Sequence, residues 1–287
     1  MVTAFLIFFA LVLEYVYDPI SNMKDTAVID NSFLKFKNYL KNYKLEKSYI
    51  FLSFPIVIFL IYSILDYLLN NLIHPLFSFL LGLAVLVYCL KPNEFNLKLE
   101  HLKFAIESKV DLDSSNRFKY ILHAGKNDQP DSIINNIFYN SIRNIFSVIF
   151  TFLLLGPAGA LAYVIIDNFI YSERIKVDQK SKNVLRLLAS IIEYIPIRVS
   201  AFTFAVVANF EQCLSQWKVT KNEKDIHNMN INLINSVGFA SFEKIKDENG
   251  NEDINIDKII YAKSMISRSL LAWLSIIGFL IITGVFI

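Results

Sequence analysis

Hydrophobic residues fall along this chain in long blocks, not in the strict alternation of half-buried strands. Runs with few charges occupy residues 2–17, 49–69, 72–90, 145–170 and 270–287, each close to the roughly 20 residues a helix needs to cross a bilayer. A weaker sixth run, 195–213, has Arg198 near its start and Glu211 near its end. Polar stretches at 18–48, 91–144 and 218–269 separate the runs and carry most of the charge. The pattern predicts an all-α, polytopic membrane protein with about five spans. Three spans and the loop 18–48 fill residues 1–90, a helical insertion follows over 91–144, and a broken segment with a membrane or amphipathic helix covers 145–217. A polar stretch over 218–269 then leads into a last span, 270–287. The amino terminus is apolar from Val2 with no Lys or Arg before it and no small-x-small cleavage signature after it, so it reads as a retained span.

The polar stretches have helical character. Leu97, Leu99, Leu102, Phe104, Ala105 and Ile106 mark one apolar face, and Ile133, Ile134, Ile137 and Phe138 repeat at helical spacing. The run Gly125-Lys126-Asn127-Asp128-Gln129-Pro130-Asp131 between them is rich in turn formers. Asp247-Glu248-Asn249-Gly250-Asn251-Glu252-Asp253 superficially suggests a calcium loop, but its glycine stands fourth where such a loop needs it sixth, which leaves a solvated acidic turn.

The run 145–170 is the unusual one, because Gly156-Pro157-Ala158-Gly159 sits at its centre. Proline removes a backbone donor and its ring clashes with the Leu153 carbonyl, so the segment is expected to kink or break. Broken backbone at membrane depth is tolerated only where protein or a water-filled cavity covers it. Charge bias singles out the same element. Lys24, Lys35, Lys37, Lys41, Lys44 and Lys47 place 18–48 in the cytoplasm, while the Asn70-Asn71 turn holds no cation. The amino terminus is then outside and 91–144 inside, yet a full crossing at 145–170 would put Arg174, Lys176, Lys180, Lys182 and Arg186 outside. Three geometries stay open: a re-entrant hairpin bent at Gly156-Pro157 with legs of about 12 residues or roughly 18 Å, a true span paired with 195–213, and an ordinary kinked span. The first two leave 218–269 cytoplasmic and the carboxyl terminus outside.

Composition supports the membrane reading. Hydrophobic residues make up 54% of the 287, and the mean hydropathy is +0.43. Cys89 and Cys213 cannot build a disulfide framework and fit as buried small hydrophobes. A net charge of +2 without any Lys/Arg block argues against nucleic acid as a partner. Phosphate-binding glycine loops, GxSxG and HExxH are absent, and His74, His101, His123 and His227 are too dispersed for a local metal site. No catalytic set, cofactor or metal ligand is therefore expected.

Charges flanking the broken segment remain: Arg143 before it, Asp167, Glu173 and Arg174 after it, then Glu193 and Arg198 around Ile195-Pro196-Ile197. Arg143 either snorkels to headgroups or faces a polar cavity. Pro196 suits the first turn of a helix, which would set Arg198 one step inside an apolar segment. A helix half beginning at Pro157 directs N–H groups and the positive end of its dipole into the break. Arg143, Gly156, Pro157, Gly159 and Arg198 thus point to an anionic small molecule bearing phosphate or carboxylate. Glu14 either reaches water or pairs with Arg198 or Arg143, and Asp66 is the other counter-charge. Inverted repeats of the kind transporters carry are not visible.

The segment Phe152-Leu153-Leu154-Leu155-Gly156-Pro157-Ala158-Gly159-Ala160-Leu161-Ala162-Tyr163, followed some thirty residues later by Glu193-Tyr194-Ile195-Pro196-Ile197-Arg198-Val199, resembles the GPxGALxY and W/Y-I-P-x-R-L signatures of the AmpE and CobD/CbiB superfamily. Ser267-Arg268-Ser269-Leu270-Leu271-Ala272-Trp273-Leu274 is similar to the R-x-L-x-x-W ending of the AmpE branch. Length, span number and the placement of the two cytoplasmic insertions fit as well. CobD/CbiB ligases carry an acidic E-N-T-x-D-G run before GPxG. Here Tyr139-Asn140-Ser141-Ile142-Arg143-Asn144 keeps the asparagine, lacks the acids and has arginine for the aspartate, and Ala189-Ser190-Ile191 stands where an Asp-Asp is usual. Magnesium-ATP is left without evident oxygen ligands. The resemblance implies an AmpE-like inner-membrane regulatory, sensor or accessory protein linked to cell-wall stress and β-lactamase induction, with a cytoplasmic or membrane signalling partner. The alternative is a divergent ATP-dependent adenosylcobinamide-phosphate synthase.

Overall fold

Long apolar segments form helices because a helix satisfies its own backbone donors and acceptors, which hydrocarbon cannot do. The computed structural model describes residues 2–16, 27–41, 46–92, 95–96, 99–100, 103–104, 137–172, 174–219, 225–241 and 256–284. Their elements are helical throughout, with no strand among the described residues: α1 (Val2–Val16), α2 (Ala27–Leu40), α3 (Lys47–Leu68), α4 (Pro75–Cys89), α5 (Ser147–Tyr171), α6 (Gln179–Val207), α7 (Phe210–Val219), α8 (Ile226–Ala240) and α9 (Ile256–Ile282). Four helical stretches are long and apolar enough to cross a membrane: Ser48–Ile73, Ile137–Tyr171, Gln179–Val207 and Asp257–Ile282. Phe5–Glu14 and Pro75–Cys89 are shorter apolar helices. The chain is an all-α polytopic membrane protein. Most of the insertion 91–144, its turn around Pro130 and the acidic turn 247–253 lie outside the described residues.

Several element boundaries differ from the hydropathy reading. Pro196 does not start a helix but lies inside α6, which begins at Gln179. The last helix begins at Ile256, well before the apolar run at 270, because Ile259, Ala262, Met265 and Ile266 already supply a buried face. The broken segment reaches back through a π-turn, Ile142–Phe146, to Ile137. Within the lysine-bearing loop 18–48, Ile29 and Phe33 form the buried stripe of α2.

The chain divides into two compact units, Met1–Lys91 with Ser147–Ile192, and Pro92–Phe146 with Glu193–Ile287. In the first, α5 packs on α3 and α4, and α1 packs on α4. Phe33 brings α2 against this group, its ring 5.0 Å from Phe51 and 4.6 Å from Phe169. Asp30 beside it is buried and accepts from Asn168 Nδ2 at 2.7 Å. The turn expected at Asn70-Asn71 is a π-segment, Leu69–Ile73, closed by extended His74, whose Nδ1 accepts from Leu76 N at 3.2 Å and caps α4. In the second unit α7 packs on α8, and Phe138 lies 5.6 Å from Phe204. Cys89 and Cys213 are buried free thiols, one in each unit.

α5 breaks where the sequence predicts it. Gly156 adopts φ 68°, ψ −165°, a conformation closed to residues with a side chain. A Cβ on Gly159 would fall 2.3 Å from Leu155 Cβ and 2.9 Å from the Thr151 carbonyl oxygen. In a straight helix residues eight apart are separated by about 12 Å along the axis. The break therefore turns the second leg sharply against the last turn of the first. Gly82 of α4 completes the packing, since a Cβ there would meet Pro157 Cγ at 3.2 Å and Leu6 Cδ1 at 3.6 Å.

These contacts rank three alanine substitutions. Gly156→Ala is expected to cost about 1–3 kcal/mol through its backbone conformation, although no atom blocks the new methyl. Gly159→Ala is expected to cost more, because the backbone itself must move. Gly278→Ala, which has open space around it and good helix propensity, should be neutral or mildly stabilising. Thermal unfolding of the purified protein in detergent gives the order, and a Gly159→Ala variant as stable as Gly278→Ala would contradict the bend.

Candidate functional site

Ionisable side chains inside membrane helices are costly to desolvate and mark functional sites by default. In the second unit several of them meet. Arg143 stands in the π-turn Ile142–Phe146 and is only 3% exposed. Single π-turns of this kind occur often at functional sites. Its Nη1 donates to Asn140 Oδ1 at 3.2 Å, and its Cζ lies 5.8 Å from the centre of the Tyr139 ring. The Tyr139 hydroxyl donates to Glu193 Oε2 at 2.9 Å, both groups being buried. The same tyrosine ring meets His227 edge-on at 6.1 Å.

α8 carries the contacts to the second arginine. His227 and Asn230 are three residues apart and so lie on one helix face. Asn230 is fully buried, and its Oδ1 accepts from Arg198 Nη1 at 3.2 Å. That nitrogen also donates to the Tyr194 carbonyl at 2.8 Å, while Arg198 Cζ stacks 3.2 Å from the centre of the Tyr194 ring. Arg198 Nη2 faces Met229 Sδ at 3.9 Å. The cluster thus joins the helix start before α5, the second half of α6 and α8. Among the contacts named it holds two guanidiniums, Arg143 and Arg198, and one carboxylate, Glu193. Stacking on Tyr194 holds the planar guanidinium in place without neutralising it.

Of the residues singled out from sequence, Arg143 and Arg198 belong to this cluster, and Gly156, Pro157, Gly159 and Glu14 belong to the first unit. Glu14 does not reach water: it is 0% exposed. Asp66 is satisfied within its own unit, accepting from Ser78 Oγ at 2.5 Å. The Tyr62 hydroxyl, 3.8 Å from the position a Gly82 Cβ would take, is buried without a hydrogen-bond partner beside the Pro157 break.

Tyr139, Asn230 and His227 were not assigned to the site from sequence. Asn230 had a readable signal, since it shares the helical stripe of Leu233, Ile234 and Val237 and is the polar member of an otherwise apolar face. Tyr139 had none, because an aromatic in a membrane helix reads as packing. Among the described residues no group of three or more His, Cys, Asp and Glu is placed to hold a metal ion. No protein-family model, curated protein or solved structure matches the chain.

The hydrogen bonds predict a stability cost for each partner removed. Tyr139→Phe takes one donor from the buried Glu193 carboxylate, and Asn230→Ala takes one acceptor from Arg198. Each should lower stability by about 1–3 kcal/mol, measured by denaturant unfolding in a bilayer mimetic. No change in either variant would mean that the cluster is not held by these bonds.

Proposed function

We propose that this protein is a membrane-embedded sensor or accessory protein that binds an anionic small molecule, bearing phosphate or carboxylate, through Arg143 and Arg198. The observation that carries the reading is that the contacts of buried Arg143 and half-buried Arg198 both lead to α8, through the Tyr139–His227 ring contact and through Asn230, with a single carboxylate among the groups named. Arginine within helices of membrane-spanning length is a site for recognition by default, and it matches planar, two-pronged recognition of phosphate and carboxylate. The Gly156-Pro157 break in the other unit supports the same class of ligand, because a helix start within apolar surroundings favours negative charge.

The resemblance to AmpE proteins supplies the biological side of the proposal: an inner-membrane location, a role in cell-wall stress and β-lactamase induction, and a signalling partner reached through the polar stretches. The lysines of 18–48 favour a cytoplasmic side for that stretch, with the amino terminus outside. The sharp bend at Gly156 fits the re-entrant form of 145–170 and a kinked crossing alike.

Equilibrium binding of labelled inorganic pyrophosphate to the purified full chain tests the central claim. Saturable binding is expected, weakened at least about tenfold by Arg198→Ala, the loss of a charge-assisted contact. Ligand-dependent turnover of labelled ATP with magnesium, abolished by Arg198→Ala, would instead favour the ligase. Cysteines introduced across 171–182 report the topology: labelling from the cytoplasmic side is expected, and labelling from the outer side alone would eliminate the hairpin.

A further inference from the structure

Among the described residues of the second unit, four polar atoms are buried with no hydrogen-bond partner: Ser200 Oγ on α6, Asn235 Oδ1 on α8, and Ser269 Oγ and Trp273 Nε1 on α9. Ser200 and Ser269 are 0% exposed and Trp273 is 4% exposed. Three of the four can donate, and the indole N–H can do nothing else. α6 and α9 are both helices of membrane-spanning length and composition, so bilayer water is not at hand to satisfy them. Buried polar groups are almost always paired, and each exception calls for a cause.

Their placement supplies one. The Phe146 ring lies 5.3 Å from Trp273 and 6.4 Å from Phe204. Ser200 is one turn before Phe204 on α6, Ser269 is one turn before Trp273 on α9, and Arg143 shares the π-turn with Phe146. Each serine therefore lies one turn from an aromatic ring that meets Phe146, and Phe146 shares its turn with the buried arginine. Alanine would replace either serine without a change of shape and without an unpaired hydroxyl, so packing alone does not account for them.

We propose that Ser200, Ser269 and Trp273 are ligand-recognition residues that donate hydrogen bonds to the oxygens of a phosphate-bearing ligand. The proposal rests on the anion reading of the Arg143 and Arg198 cluster and adds the uncharged part of its binding surface. Hydroxyls, an indole N–H and guanidiniums together offer mainly donors, which suits the many acceptor oxygens of a phosphate and mismatches an amine. The phosphate comes either from a free ion or from a lipid headgroup, and the two sources have separate arms in the test.

The experiment uses the full chain in phosphate-free maltoside detergent, titrated in one arm with inorganic phosphate and in the other with short-chain phosphatidic acid. Trp273→Phe and the double variant Ser200→Ala/Ser269→Ala are each expected to weaken binding roughly five- to tenfold, the loss of one or two neutral donors. The double serine variant should melt at the same temperature as the parent or higher. The arm that binds identifies the source. A lower melting temperature for the double serine variant would overturn the proposal, since the hydroxyls would then be structural. Binding that needs Arg198 but ignores both substitutions would overturn it too, while leaving the anion reading intact. Absence of any Arg198-dependent binding in both arms would overturn the two together.

Discussion

Inside a bilayer a polar atom has no water to turn to, so each must find its partner within the protein or remain unpaired at a cost. Most of this structure follows from that constraint. Hydroxyls in the long helices fold back onto their own backbone, as Ser63 Oγ does to the Phe59 carbonyl, Thr203 Oγ1 to Ser200 and Ser275 Oγ to Leu271. Carboxylates meet neutral donors, as Asp66 does with Ser78 and Asp30 with Asn168. The faces left over are apolar. Ile56, Leu60 and Ile64 of α3 recur every fourth residue and are all exposed, as a lipid-facing stripe would be.

Against this background the departures stand out. Gly156 interrupts the helical ladder, α3 and α4 pack on the broken helix, and Gly82 of α4 lies against the Pro157 ring. In the other unit two arginines lie on helices of membrane-spanning length and composition. Asn140 and the Tyr139 ring contact the Arg143 guanidinium, and Asn230, the Tyr194 carbonyl and the Tyr194 ring contact that of Arg198. Desolvated charges of this sort stabilise poorly and serve recognition well.

Much of the fold was legible in the chain, and for plain reasons. Apolar blocks of span length leave helices as the only economical backbone, and Gly-Pro at the centre of one of them leaves a break as the only outcome. The arginines stood out because charge within apolar sequence is rare. What misled was local grammar. Pro196 looks like a helix start, since proline is tolerated in a first turn, but residues 179–195 already form a helix on the buried face of Leu185, Ala189 and Ser190. Glu14, near a run's end, looked able to reach water, and packing of α1 against α4 buries it instead.

The sequence by itself determined the helical class, the membrane setting, the broken segment and the two arginines, because each depends on the solubility and backbone chemistry of neighbouring residues. Only the tertiary structure decided which polar groups meet. Tyr139 reaches Glu193 across 54 positions and Arg198 reaches Asn230 across 32. No periodicity within one helix encodes a partner on another. That choice is made by packing, which brings α8 and the second half of α6 together and leaves Ser200, Ser269 and Trp273 buried with donors to spare.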